Sequence, residues 1–265
     1  MNIIEKFNLN DTLSIVTGGA GLLGCKHAEA LLDAGSTVIV LDNSSKNIKK
    51  LKHSLKSNSR LHAFQIDITD EKSILKLKEE ISKDFKSYPS ILINNAAIDP
   101  KVNDAKIEGE SFESFDIKSL QKEINVGLIG AVLCTRVFGS SMAKNKKGVI
   151  LNISSDLGII APNQEIYDGS SKPVSYSIIK HGIIGLTRYT STYWSKEGVR
   201  CNALAPGGVY NSQSEEFTSR INKLIPMGRM AHADEYQATI LYMCSDASSY
   251  MNGAVVSVDG GRTAW

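Results

Sequence analysis

Tyr176 and Lys180 form the pair of residues in this sequence that is best suited to moving a proton. On a helix, residues four apart share one face, so the lysine ammonium group would lie beside the phenol. A free tyrosine has a pKa of about 10, and a neighbouring positive charge stabilises its phenolate. Such a phenol can serve as a general acid or base near neutral pH. The alternative is an ordinary pair of residues on an amphipathic helix. The surrounding motifs must decide between this alternative and a catalytic pair.

A glycine-rich segment near the N-terminus, TGGAGLLG at residues 17–24, is suited to binding a diphosphate. It follows a short apolar run and precedes a helical pattern that carries Ala28, Leu31 and Leu32. Glycines allow a tight turn and a close backbone approach to phosphate, and the N–H groups at the start of the helix point at the negative charge. A plain strand-to-helix turn is the alternative, but the position between strand and helix favours a dinucleotide site.

Asp42 ends the second apolar run, 24 residues after Gly18. A carboxylate at this place can accept hydrogen bonds from the hydroxyls of an adenosine ribose and would repel a 2′-phosphate. No arginine follows it directly, and Lys46 is the cation that would weaken this preference. We therefore predict NAD rather than NADP as the cofactor.

The sequence contains seven short apolar runs that alternate with helical patterns, and these runs and helices form the framework for the residues above. The runs cover residues 13–16, 37–41, 63–66, 91–93, 149–153, 199–204 and 255–258. Such alternation predicts a parallel sheet with helices on both faces, in which all strand carboxyl ends lie at one edge, where ligands bind. The predicted fold class is α/β: a Rossmann-like, doubly wound parallel sheet in a single domain over residues 1–265.

Composition excludes several classes of protein. The 265 residues carry 30 Lys+Arg against 28 Asp+Glu, and 42% are apolar, so neither disorder nor binding to nucleic acid or to an anionic membrane is expected. No uncharged apolar run reaches the roughly 18 residues of a membrane span, and residues 1–11 lack an apolar signal core, so we expect a cytoplasmic protein. The four cysteines are widely spaced, which predicts neither disulfides nor a metal site.

Several motifs, taken in order along the chain, resemble those of the short-chain dehydrogenase/reductase family. They are the glycine turn, Asp67-Ile68, NNAA at 94–97, Asn125, NISS at 152–155, Tyr176-x-x-x-Lys180, NALAPG at 202–207 and VDGG at 258–261. The resemblance implies a catalytic tetrad of Asn125, Ser155, Tyr176 and Lys180. It also implies a cofactor site formed by Gly18, Gly21, Leu23, Gly24, Asp42, Asp67, Ile68, Asn95, Ala96, Tyr176, Lys180, Pro206 and Val209.

The family pattern assigns each catalytic residue a role. Ser155 would donate a hydrogen bond to the substrate oxygen, Lys180 would also reach the nicotinamide ribose, and Asn125 would anchor a water that leads from Lys180 to solvent. Ser154 competes with Ser155, because successive residues of a strand point to opposite sides, and the family position favours Ser155.

Three features depart from the usual family pattern. The turn fits Gly-x-x-Gly-x-x-Gly, which is typical of the longer branch that acts on sugar nucleotides. Ser155 and Tyr176 are 21 residues apart instead of about a dozen, and the extra residues, about 160–172, are expected over the substrate. Asn211 stands where the family has a threonine after Pro-Gly. Residues 209–227, with a small helix at 214–224, are expected to form the mobile substrate lid.

The insert, residues 206–209 and the ending at 261–265 resemble a subgroup linked to bacterial surface-sugar biosynthesis. We therefore expect an NAD(H)-dependent oxidoreductase that interconverts a secondary alcohol and a ketone on a sugar-derived, small-molecule substrate. A homo-oligomer, either dimer or tetramer, is expected, with contacts through the helix at 176–194 and the C-terminal strand. A sugar-nucleotide epimerase or dehydratase that retains its NAD, and a non-catalytic NAD-binding protein, remain open as alternatives.

Overall fold

Seven strands within the described residues form one parallel sheet in the order β3-β2-β1-β4-β5-β6-β7. The computed structural model describes residues 2–55, 58–98, 111–167, 169 and 171–265. The strands are β1 (Leu13–Thr17), β2 (Thr37–Asp42), β3 (Leu61–Gln65), β4 (Ile91–Asn94), β5 (Gly148–Ile153), β6 (Val199–Pro206) and β7 (Val255–Val258). The predicted fold class is confirmed.

Helices connect the strands and cover both faces of the sheet. The α-helices are α1 (Leu22–Asp33), α2 (Ser45–Ser54), α3 (Glu71–Phe85), α4 (Ile117–Ile124), α5 (Gly130–Cys134), α6 (Ser140–Lys144), α7 (Val174–Tyr193), α8 (Glu215–Asn222) and α9 (Gln237–Cys244). Short 3-10 helices cover Ile3–Phe7, Asp156–Gly158, Gln164–Tyr167, Ser195–Glu197, Ala233–Tyr236 and Asp246–Ser248. π-helical turns at Asn125–Ile129 and Thr135–Gly139 join α4, α5 and α6 into one continuous helical segment.

The core lies in two layers, one on each face of the sheet. One layer packs α1 and α9 against the strands through residues such as Leu31 and Ile240. The other packs α3 and the segment Ile117–Lys144 through residues such as Ile74 and Phe138. Because both faces are covered, strands such as β1 and β4 are buried along their whole length, which explains their nearly unbroken apolar sequence.

Among the described residues, the helical segment Ile117–Lys144 is long and apolar enough to cross a membrane. However, 56% of its most apolar window is buried inside the protein. Val137, Phe138 and Met142 lie in the layer beneath the sheet, so the apolar character of this segment is accounted for by core packing.

The sheet order reverses between β1 and β4. The chain proceeds outward from β1 to β3 and then returns to the other side of β1, so the connections leave the carboxyl ends of β1 and β4 in opposite directions. This leaves a crevice at that edge, which is where ligands bind in doubly wound sheets.

Candidate active site

A cleft of about 630 Å³ runs along the carboxyl edge of the sheet. All of the residues predicted for cofactor binding line it: Gly18, Gly21, Leu23, Gly24, Asp42, Asp67, Ile68, Asn95, Ala96, Tyr176, Lys180, Pro206 and Val209. Ser155 lines it as well, together with Asn211 from the segment that follows β6. The structure therefore brings residues from seven separate stretches of sequence into one continuous surface.

The glycine turn is shaped by close backbone contacts. Gly18 has a φ of 59°, a left-handed conformation that side chains disfavour. A Cβ atom on Gly24 would lie 2.2 Å from the carbonyl oxygen of Gly18. Gly21 begins α1 with no side-chain cap, so the first N–H groups of this helix remain available at the cleft. This arrangement fits a diphosphate, because helix N-termini carry a partial positive charge.

Asn95 holds the glycine turn in place. Its side-chain nitrogen donates to the carbonyl oxygens of Thr17 and Gly18, at 3.0 and 3.1 Å, and its backbone N–H donates to the hydroxyl of Thr17 at 3.0 Å. Asn95 thus lines the cleft, yet its side-chain donors are used to join β4 to the turn after β1. The positioning contact could not be read from the motif, because it joins residues almost eighty positions apart.

Asp42 lies at the end of β2 and is 8% exposed. One carboxylate oxygen accepts from the backbone N–H of Ala20 at 3.2 Å, and the other accepts from that of Ser44 at 2.9 Å. A carboxylate has about four acceptor positions, so further acceptor capacity remains toward the cleft. The side chain is consequently fixed beside the glycine turn, where the ribose of a dinucleotide would lie.

The phenol of Tyr176 is flanked by two cations. Lys180, which is buried, lies 5.6 Å from the centre of the Tyr176 ring and donates to the carbonyl oxygen of Ile153 at 3.0 Å. Lys172 lies over the same ring at 3.8 Å from its centre. The predicted pairing of Tyr176 with Lys180 on one helical face is present in α7. Lys172 was not identified from the sequence, although its spacing of four residues before Tyr176 was the available signal.

The two serines at the end of β5 make different contacts. The hydroxyl of Ser154 donates to the carbonyl oxygen of Lys180 at 2.8 Å and so ties the strand to α7. The hydroxyl of Ser155 donates to Oδ1 of Asp156 at 2.7 Å. Both serines line the cleft and both hydroxyls have partners, so the assignment of Ser155 as the substrate-binding serine stays a prediction.

Asn125 is placed differently from the other three predicted catalytic residues. It begins the π-helical turn after α4, it is exposed, and it is not among the residues that line the cleft. Its neighbour Val126 does line the cleft. The role of Asn125 in a water path from Lys180 stays a prediction.

Buried hydrogen bonds between amide and hydroxyl side chains connect the elements that carry the site. Asn94 donates to the side chains of Thr135 and Asn152, at 2.9 and 2.8 Å, and Asn152 donates to the hydroxyl of Thr187 at 2.8 Å. These bonds connect β4, β5, the helical segment under the sheet and α7. Buried hydrogen bonds of this kind fix the relative positions of the elements they join, although the side-chain oxygen of Asn94 has no partner among the described residues.

The insert and the lid predicted from the sequence pack against each other. Ile166 and Tyr167 of the insert share an apolar cluster with Phe217, Ile221 and Met230. The predicted helix at 214–224 is present as α8, and the hydroxyl of Ser214 caps it by accepting from the N–H of Phe217. Tyr167, Phe217 and Ile221 also line the cleft. Asp168 and Ser170 of the insert lie outside the described residues.

Residues 19–263 match the family model described as enoyl-(acyl carrier protein) reductase. The chain belongs to the short-chain dehydrogenase/reductase family. It is 30% identical over 262 residues to a 3-oxoacyl-(acyl-carrier-protein) reductase of Aquifex aeolicus, covering 97% of this chain and 99% of that protein. It is 28% identical over 274 residues to a galactitol 2-dehydrogenase of Rhizobium johnstonii, with full coverage of both.

A solved structure of a short-chain dehydrogenase has the same fold as this chain. The short-chain dehydrogenase of Leptospira borgpetersenii with bound NAD⁺ superposes with a TM-score of 0.86 at 29% identity, covering 99% of this chain and 96% of that one. As a short-chain dehydrogenase/reductase, this protein is an oxidoreductase of alcohols and ketones that binds a nicotinamide cofactor. The cleft, with its uncapped helix N-terminus and convergent Ser155, Tyr176 and Lys180, fits that activity.

Proposed function

We propose that this protein is an NAD(H)-dependent oxidoreductase that interconverts a secondary alcohol and a ketone on a sugar-derived substrate. The observation that carries the proposal is the placement of Ser155, Tyr176 and Lys180 on the same cleft as Asp42 and the glycine turn. A nicotinamide cofactor bound in this cleft would supply hydride transfer. The protein must then bind and orient the substrate and move one proton.

Each of the three residues has a distinct task in this proposal. Tyr176 exchanges a proton with the substrate oxygen, and the cations beside its ring stabilise the phenolate form. Ser155 donates a hydrogen bond to the same oxygen and thereby keeps it near the phenol. Lys180, held by the carbonyl oxygen of Ile153, places positive charge beside the ring and faces the cleft where a ribose would lie.

Asp42 supports the choice of NAD. Its carboxylate is held next to the glycine turn by two backbone N–H groups, so it cannot easily turn away from a 2′-phosphate. Such a phosphate would bring negative charge against a largely buried carboxylate, which is unfavourable. Ribose hydroxyls, in contrast, can donate to it.

A sugar-derived substrate is supported by the galactitol 2-dehydrogenase to which this chain is similar over its full length. The polar side chains of Asn211, Gln213 and Lys172 line the cleft together with Ser155, and they can form hydrogen bonds with the hydroxyls of such a substrate. We place the reaction in the biosynthesis of a bacterial surface glycan, and this follows from the resemblance of the insert and the chain ending to that subgroup.

The proposal is tested by following NADH absorbance with a panel of sugar alcohols, sugar phosphates, nucleotide sugars and simple ketones. We expect net NADH production or consumption with at least one sugar-derived compound, and weaker activity with NADP(H). Tyr176→Phe should lower kcat by a factor of about 10² to 10⁴ while the Kd for NADH stays unchanged. Tyr250→Phe, at a fully exposed tyrosine away from the cleft, is the matched control.

Two outcomes would contradict the proposal. Turnover of a nucleotide sugar without net change in NADH would identify an epimerase or dehydratase that retains its cofactor. Binding of NADH without turnover of any member of the panel would identify a non-catalytic protein.

We further propose a cytoplasmic homo-oligomer, either dimer or tetramer. Tyr189 and Tyr193 stack on the outer face of α7 at 5.6 Å between ring centres, and they are 65% and 61% exposed. Exposed aromatic residues of this kind are enriched in subunit interfaces. Light scattering of the purified protein measures the subunit number, and a monomer would contradict this part of the proposal.

A further inference from the structure

A buried ion pair lies directly beside the catalytic serine. Nη1 of Arg262 donates to Oδ2 of Asp156 at 3.0 Å, and the side chains are 5% and 4% exposed. Both residues line the cleft next to Ser155. The arginine comes from the turn after β7, which is folded back by Asp259: its carboxylate accepts from the N–H groups of Gly261 and Thr263, each at 2.9 Å.

The pair retains hydrogen-bonding capacity toward the cleft. Nε and Nη2 of Arg262 form no hydrogen bond with any residue that the structure describes, neither atom is completely buried, and the residue lines the cleft. On Asp156, Oδ1 accepts from the hydroxyl of Ser155 and from the N–H of Leu157, at 2.7 and 2.8 Å, and Oδ2 accepts from Arg262. A carboxylate offers about four acceptor positions, so Oδ2 has one to spare.

Stability alone is a poor explanation for such a pair. Removing two charges from water costs several kcal/mol for each ion, and apolar residues of similar size are often as stable or more stable at such positions. A paired carboxylate and guanidinium at the wall of a cleft, in contrast, present an acceptor and donors side by side. A hydroxyl group, which both donates and accepts, is the ligand that satisfies both.

We propose that Asp156 and Arg262 recognise a hydroxyl group on the substrate carbon next to the one that reacts, and so select vicinal diols and their hydroxyketones. This inference rests on the proposed function, in which Ser155 binds the reacting oxygen. When Ser155 turns its hydroxyl hydrogen from Asp156 to that oxygen, Oδ1 loses one of its two donors. A hydroxyl on the adjacent carbon lies close to the reacting oxygen and replaces the lost donor, while Arg262 donates to its oxygen.

The specificity follows from this exchange. A substrate without the adjacent hydroxyl would leave Oδ1 of Asp156 with the N–H of Leu157 as its one remaining donor, and it would offer no acceptor to Arg262, at the moment when Ser155 engages it. Sites built to bond a substrate hydroxyl reject analogues that lack it far more strongly than apolar pockets reject a missing methylene. The pair is therefore expected to discriminate by hydroxyl content rather than by size.

The test compares NAD⁺ reduction with cis-cyclohexane-1,2-diol and with cyclohexanol, which differ by the adjacent hydroxyl. We expect the wild-type kcat/KM to favour the diol by at least about 100-fold. Arg262→Met should lower kcat/KM for the diol much more than for cyclohexanol, so that the preference falls below about tenfold. The double variant Asp156→Leu/Arg262→Met avoids leaving one charge buried alone, and it should show the same loss of preference. Arg136→Met, at an exposed pair with Glu71, is the matched control and should keep the wild-type ratio.

The outcomes separate this inference from the proposed function. Absence of turnover with every alcohol and ketone would contradict the proposed function. If the enzyme oxidises other alcohols but does not prefer the diol, the proposed role of the pair is overturned. The same holds if it oxidises other alcohols and leaves the diol unreacted. An equal loss of both activities in the double variant, with the Kd for NADH unchanged, would show that the pair only positions Ser155 and would also overturn it.

Discussion

The ring of Tyr167 packs against the ring of Phe217, with 5.8 Å between their centres. Tyr167 belongs to the long insert between Ser155 and Tyr176, and Phe217 belongs to α8, so this contact joins the two segments that we propose to cover the substrate. Both residues also line that cleft. The insert and the lid are thus connected by an apolar contact above the site.

We expect Phe217→Ala to weaken substrate binding without affecting the cofactor. Aromatic pairs contribute about 0.5–1.5 kcal/mol beyond the burial of their area, so KM for the substrate should rise by a factor of roughly 3 to 10. The Kd for NADH, measured by fluorescence, should not change, because the cofactor side of the cleft is formed by other elements. Tyr250→Ala, at a fully exposed tyrosine, is the control. An unchanged KM would show that the contact does not order the lid.

Gly24→Ala is expected to damage the cofactor site, because the new methyl group would lie 2.2 Å from the carbonyl oxygen of Gly18 and 2.8 Å from the side-chain nitrogen of Asn95. The turn would have to shift, which would displace the N–H groups of α1. We expect loss of NADH binding and a lower melting temperature.

Gly185→Ala is the matched control for this prediction. Gly185 lies inside α7, and a Cβ atom there meets nothing within 4 Å. Because alanine is favoured over glycine in helices, this variant should be more stable by about 0.5–1 kcal/mol. Equal NADH binding in both variants would contradict the proposed role of the turn.

Asp42→Asn should relax the preference for NAD. The amide oxygen can still accept from the N–H of Ala20 or Ser44, so the turn should keep its shape, while the negative charge that repels a 2′-phosphate is lost. We expect the ratio of kcat/KM for NAD⁺ over NADP⁺ to fall by about tenfold, which corresponds to 1.4 kcal/mol. Asp33→Asn, at an exposed aspartate on α1, serves as the control. A wild-type enzyme that prefers NADP⁺ would contradict the assignment itself.

His27 is expected to make the protein less stable in acid. It is fully buried in α1, neither ring nitrogen has a hydrogen-bond partner among the described residues, and burial lowers its pKa from 6.5 to about 3. Between these values the unfolded chain binds a proton that the folded chain does not. The free energy of unfolding contributed by His27 is therefore constant above pH 6.5 and falls as the pH drops, by about 1.4 kcal/mol per unit.

His27→Met should flatten this dependence. Urea unfolding at pH 7 and pH 5 should show a smaller difference for the variant than for the wild type, whereas His53→Met, at an exposed histidine, should retain the wild-type difference. An unchanged difference in His27→Met would show that other groups cause the acid sensitivity.

The sequence alone predicted four features that the structure contains: the sheet, the glycine turn, the small helix at 214–224 and the pairing of Tyr176 with Lys180. These features depend on local rules: the period of apolar residues, the conformational freedom of glycine and the spacing of residues on a helix face. The predicted apolar runs also begin and end within two residues of the seven strands in the structure. Strands that are buried on both faces have a nearly unbroken apolar sequence, which makes them easy to locate.

The contacts between distant side chains depend on the tertiary fold and could not be predicted from the sequence. The pairing of Arg262 with Asp156 joins residues 106 positions apart, and the bond from Asn95 to Gly18 joins residues 77 apart. The packing of Tyr167 on Phe217 likewise depends on where two long segments cross. Such contacts are set by how packed elements bring their surfaces together, a property that no local pattern of residues contains. The motifs therefore predicted residues that the fold brings together in the cleft, whereas the contacts between distant residues that position them could not be read from the sequence.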